Sequence, residues 1–219
     1  MARKTTITGE AVRDDSLTGD DIDESTLVLN QIRDADGDTK IQVEESADED
    51  KIRFDTAGNE RMVVDGFGNI GIGTIDPKSI LDVHMPAAYF SNLGNDVGGG
   101  LVVKFGSGTL TAGKLYYLHT DGTWTETDAD AIASGADQML GIALGSSATS
   151  DGILLRGFFD AHSYMSNFSA GKAIYASTTA GGMDTVAPSS AGDYVRIIGY
   201  CTLNSNVIYF NPSSTWIEL

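Results

Sequence analysis

Three groups of residues have the types and spacing to suggest chemistry. Asp160, His162 and Ser163 are the residue types of a hydrolase triad. They fall within four residues of one another, which cannot set nucleophile, base and orienting carboxylate in one line. Asp34, Asp36 and Asp38, with Glu45 at the twelfth place, mimic a calcium loop. The EF-hand requires glycine at the sixth place for its turn, and Thr39 stands there. A solvated acidic turn is the expected reading. Gly66, Gly68 and Gly71 spell G-x-G-x-x-G after an apolar run, Met62 to Val64. A dinucleotide site needs a helix next, so that its N-terminus meets the pyrophosphate. Here Ile72 is followed by glycine, threonine and, at 77, proline, which reads as strand and turn. His84 and His119 have no partner at metal-ligand spacing. No cofactor and no catalysis are expected.

The bulk properties narrow the classes further. The chain has 219 residues and a formal net charge of −17. Such an acidic chain gains nothing from counterion release at phosphates, so nucleic acid is not an expected partner. Twenty-six glycines against four prolines point to many tight β turns. The lone cysteine, Cys201, lies in an apolar run and is expected to be a buried thiol. No stretch approaches 18 apolar residues, and the start MARKTTITGE lacks the apolar core of a signal peptide. The expected fold class is all-β: an extended N-terminal arm, a short interwoven β stem, and a C-terminal barrel or sandwich with internal duplication.

Four segments are expected. Residues 1–40 form an attachment arm. It contains two successive decapeptides beginning at Thr8 and Thr18, each with Thr-Gly first, a β-branched residue fifth (Val12, Ile22) and leucine tenth (Leu17, Leu27). Two apolar residues in ten cannot build a core, so these four are expected to lie along a neighbouring protein. Residues 41–83 form the stem, in which 55–59 (DTAGN) and 65–69 (DGFGN) read as one turn written twice. Alternation assigns Ile52, Phe54, Met62, Val64, Ile70 and Ile72 to one inward face, which one chain is too small to bury alone. Residues 84–100 read as a linker with Gly98 to Gly100 as a flexible joint. Residues 101–219 read as a globular β domain, with one short helix at 128–133. Within it, 110–117 (LTAGKLYY) matches 168–175 (FSAGKAIY), and 139–143 (MLGIA) matches 197–201 (IIGYC), both at an offset of 58. Its aromatics are mostly expected in the core, and the stretch from Phe158 to Phe168 is the first candidate for ligand contact.

The segment from Lys51 to Val83, with GNIGIGT at 69–74 and 68, Pro77 and LDV at 81–83, resembles the stem segment of phage tail fibres, tailspikes and related virion proteins. Residues 110–219 look like a β domain of phage capsid decoration and fibre proteins. The likeness lies in AGKLYY from Ala112, LGIA from Leu140, GILLRG from Gly152, IYAS from Ile174, VRIIG from Val195 and FNP from Phe210. The Thr-Gly decapeptides resemble attachment segments of the same class. The resemblance implies a homotrimer on the virion surface, assembled in the host cytoplasm, that binds the major capsid protein or another virion protein. It implies no catalytic residue, no cofactor, no nucleic-acid partner and no membrane. The chain lacks an extended shaft, which favours a capsid decoration (cement) protein or short head fibre. A tail fibre contacting host glycan is the alternative.

Overall fold

The computed structural model describes residues 31–43, 45–84, 93–203 and 206–219. The fold is all-β. The chain divides into two compact units, residues 1–85 and 86–219. The arm residues Val12, Leu17, Ile22 and Leu27 lie outside the described residues.

The first unit is one six-stranded sheet in chain order: β1 (Gln31–Arg33), β2 (Lys40–Val43), β3 (Ile52–Thr56), β4 (Asn59–Val64), β5 (Ile70–Ile72) and β6 (Leu81–Val83). All neighbours are antiparallel except β5 and β6. The two turns written alike in the sequence differ in structure. Between β3 and β4, Ala57 and Gly58 both have positive φ, 50° and 70°. That is the two-residue hairpin whose twist matches its strands. Between β4 and β5, Asp65 instead organises a longer loop. Its carboxylate accepts the Phe67 and Asn69 amides at 2.9 and 2.8 Å, and its carbonyl accepts the Gly68 amide at 2.9 Å. Asp65 is therefore a turn-builder that mimics backbone.

Gly71, inside β5, is a point of close approach. A Cβ there would lie 2.5 Å from the Thr74 carbonyl oxygen and 3.0 Å from Val63 Cγ1. Gly71→Asp is expected to open this sheet, lowering thermal stability by at least ~2 kcal/mol, since backbone must move and a charge is set against buried Val63. A thermal melt of the variant superposing on the wild type would remove the assignment.

The second unit holds β7 (Gly98–Val103), β8 (Leu115–Leu118), β9 (Trp124–Glu126), β10 (Leu140–Ala143), β11 (Ile153–Asp160), β12 (Met165–Ser166), β13 (Ala173–Ala176), β14 (Met183–Asp184), β15 (Tyr194–Cys201), β16 (Val207–Phe210) and β17 (Trp216–Glu218). The sheet runs β12-β14-β13-β15-β16-β11-β10-β8-β9, with β7 also on β11 and β17 also on β15. Side chains from β8, β10, β11, β13, β15 and β16 meet in one core around Leu115, Ile142, Leu154, Phe159, Ile174, Ile198, Ile208 and Phe210. A flat sheet cannot bring six strands to one core, so this one curls, as a barrel or sandwich requires. In place of the expected helix at 128–133 stands a single 3-10 turn, Ile132–Ser134.

The internal duplication is structural. Leu115 pairs with Ile142 and Tyr116 with Gly141; 58 residues on, Ala173 pairs with Tyr200 and Ile174 with Gly199. The Gly113 and Gly171 amides donate to the carbonyls of Ala143 and Cys201 at 2.9 and 3.0 Å. The return bonds, Ala143 to Lys114 and Cys201 to Lys172, are 3.0 and 2.9 Å. The strand order is accordingly mirrored about the β16–β11 junction: β14-β13-β15-β16 against β11-β10-β8-β9.

The linker reading of Gly98 to Gly100 is corrected. These glycines form β7, paired with β11 through Phe159, Phe158 and Gly157. A Cβ on Gly98 would lie 2.2 Å from the Phe158 carbonyl oxygen, and one on Gly100 2.2 Å from that of Arg156. The glycines are there for close backbone contact, not for flexibility.

Candidate functional site

The registers of the first unit sort its side chains into two faces with opposite chemistry. On one face a row runs Ile32, Ile41, Phe54, Met62, Ile72, Val83 from edge to edge. A second row beside it runs Val43, Ile52, Val64, Ile70, Leu81. Eleven apolar residues occupy this face and no charged residue enters either row. On the other face the central row is Gln31, Gln42, Arg53, Val63, Gly71, Asp82.

Burial runs against the ordinary sense. Val63 is fully buried, and Gln42 and Arg53 are each 6% exposed. On the apolar face, seven of the eleven residues are between 41 and 67% exposed, and the other four are half-buried. The six residues expected to face inward, Ile52, Phe54, Met62, Val64, Ile70 and Ile72, thus share one face. None of them is buried by the chain's own residues.

The polar face is closed by the chain itself. Arg53 is the post: its guanidinium meets Glu49, lies 3.0 Å from Glu60 and 4.0 Å from Glu45. Glu49 also accepts the Glu45 amide at 2.6 Å, which folds the 45–49 segment toward the arginine. The hydrogen bond from Arg53, with that amide, holds the Glu49 carboxyl well below the usual range, at about 2. Its value in the folded chain is thus below the ordinary 4.5. The stability it contributes is fully present above pH 4.5 and is lost as pH falls toward 2. Amide NMR signals of β3 and β4, followed from pH 6 to pH 2, are expected to broaden in that window. Glu49→Gln is expected to remove that transition; an unchanged acid transition in the variant would contradict the role.

The other sequence candidates do not assemble. Ser163 Oγ donates to Asp96, and its amide donates to the same carboxylate at 3.0 Å. The His162 ring meets the Asn206 side chain at 3.1 Å. Asp160 is buried, with one oxygen unpartnered, and burial raises its pKa. Serine and histidine therefore each have a different partner. The Asp34, Asp36 and Asp38 carboxylates do converge, with an oxygen of each within 4.8 Å of the others. Asp34 Oδ1 accepts the loop's own amides from Gly37 and Thr39 at 3.0 and 3.3 Å. Glu45 is turned away to Arg53. In the G-x-G-x-x-G segment a strand, β5, follows the turn, so no helix terminus is available for a phosphate. Cys201 is buried, and burial raises its pKa.

Among the described residues of the second unit, a cavity of about 540 Å3 is lined by Asp130, Asp184, Asp193, Ser177 and Ser190, without an aromatic wall. Tyr116, Trp124, Phe159, Tyr194 and Phe210 are core residues. Phe158, Tyr209 and Tyr200 instead lie side by side across β11, β16 and β15, on the face away from the core. The Phe158 and Tyr209 rings are 5.1 Å apart, and the Arg156 guanidinium lies 5.9 Å from the Tyr209 ring centre. This row was hard to foresee, because its members come from three strands spread over 50 residues.

No family model matches the chain, and neither a curated protein nor a solved structure is similar to it.

Proposed function

We propose that this chain is a non-enzymatic structural protein of a virion: a trimeric capsid decoration or cement protein, or a short head fibre, that binds and stabilises the capsid surface. In this reading residues 1–40 attach it to the major capsid protein, the first unit assembles with other copies, and the second unit is displayed. The observation that carries it is the open apolar face of the first unit. A sheet whose polar face is sealed and whose apolar face is bare is built to be completed by another protein surface. The self-contained, duplicated second unit supports the same division of labour.

The test is immunogold electron microscopy of purified virus particles with antibody to residues 100–219. Label over the head is the expected result. Absence of label, with the epitope shown to be accessible, contradicts the virion reading.

One observation favours the second reading, a tail fibre that contacts host glycan. The row of Phe158, Tyr209 and half-exposed Tyr200, with Arg156 beside it, offers ring faces and N–H donors to a sugar. Label at the tail, with cell binding lost in Tyr200→Ala, would establish it over the first.

A further inference from the structure

We infer that the apolar face of the first unit is covered by the same face of other copies of this chain. The inference rests on the structural reading above and names its partner.

The size of the face fits a protein interface. Six strands about 4.8 Å apart, each giving two side chains about 7 Å apart along the strand, tile roughly 400 Å2 of continuous apolar surface. A standard interface takes about 800 Å2 from each partner, of which a little over half is apolar. The face alone therefore supplies the apolar share of a full-size interface. Exposed patches of a few hundred Å2 are the ones that mark association.

The chemistry of the face selects a copy of itself. Neither row contains a charge or a hydrogen-bonding side chain, so the partner must be equally apolar and equally flat. A charged or aqueous partner would leave these eleven side chains unsatisfied. The chain carries a net charge of −17, so copies repel almost everywhere else. On this face they meet without opposed charges, while Arg53 and its glutamates point the other way. Sheets packed face to face lie about 10 Å apart with interdigitated side chains. Phe54 and Met62, paired across the two central strands, then sit at the middle of the contact, and Ile32 and Val83 at its rim.

The experiment uses the full chain in three variants. Met62→Cys places a thiol in the centre of the face. Lys78→Cys places one at an exposed site outside both rows. Cys201 is buried and remains as it is. With a mild oxidant, Met62→Cys is expected to yield mostly covalent dimers and Lys78→Cys almost none. Ile52→Asp is expected to convert the assembly to single chains at least tenfold more readily on dilution, with the circular dichroism of a β fold retained. Equal cross-linking of both cysteine variants overturns the inference, as does association unchanged in Ile52→Asp. The outcome is separable from the virion reading. Face-to-face association of a chain missing from purified particles removes only the virion reading. A particle-bound chain that never cross-links through residue 62 removes only this inference.

Discussion

Arg196→Met is expected to destabilise the second unit by about 3–5 kcal/mol, the cost of breaking a buried hydrogen-bonded charge and orphaning its acceptors. Arg196 lies on β15 and is 6% exposed. Its Nε donates to the Ser213 carbonyl at 2.7 Å. Its Nη1 donates to the carbonyls of Gly135, Ala136 and Gln138 at 2.8, 3.1 and 2.7 Å. Burial lowers its pKa, yet four carbonyl oxygens oppose that cost by accepting from the guanidinium. Tyr194, two residues earlier, adds a bond from its hydroxyl to the Ser134 carbonyl at 3.2 Å. The segment after the 3-10 turn has few strand bonds of its own, so the arginine substitutes for a ladder. Methionine fills the volume but donates nothing, leaving buried carbonyls bare. Tryptophan fluorescence, which reports only this unit through Trp124 and Trp216, should show the melting temperature falling by about 10 °C or more. A shift under about 2 °C would show that the carbonyls find other donors.

Gly157→Ala is the second large effect, expected to cost on the order of 3 kcal/mol through backbone displacement and an unfavourable φ. Gly157 has φ 153°, and a Cβ there would lie 2.2 Å from the Gly99 carbonyl oxygen and 2.9 Å from Gly100 Cα. Both obstacles are backbone, so no rotamer change relieves them. The expected result is loss of β7 from β11, read as loss of hydrogen-exchange protection at residues 98–103 while the core at Ile174 and Ile198 stays protected. Full protection of β7 in the variant would contradict the close-approach account.

These two sites also mark the limits of the sequence. The glycine run at 98–100 is indistinguishable by composition from a flexible joint; only the facing Gly157, almost 60 residues away, makes it a tight strand crossing. Arg196 sits in an alternating apolar run and carries no sign that its head group will meet carbonyls from residues 135–138. The duplication was legible because its two copies keep glycine at the same turn and strand positions, 113 with 171 and 141 with 199, where the backbone bonds recur. In the first unit, period-2 alternation correctly put Ile52, Phe54, Met62, Val64, Ile70 and Ile72 on one face. Alternation says which residues share a face, but not which face the chain covers. That depends on the 45–49 segment folding onto Arg53 and on Thr74 closing over Gly71 and Val63, contacts set by loops that have no period. The three acidic residues at 34, 36 and 38 were legible as a turn, and their shared hydrogen bonding to that turn accounts for them without an ion.

The account turns on whether the first unit's bare apolar face stays bare. Sedimentation equilibrium of the full chain, 23.1 kDa per copy, answers this most directly. A single species of three times that mass is predicted, dissociating in the Ile52→Asp variant. A species of one chain mass across the micromolar range would contradict it, leaving eleven apolar side chains facing water with no role in assembly.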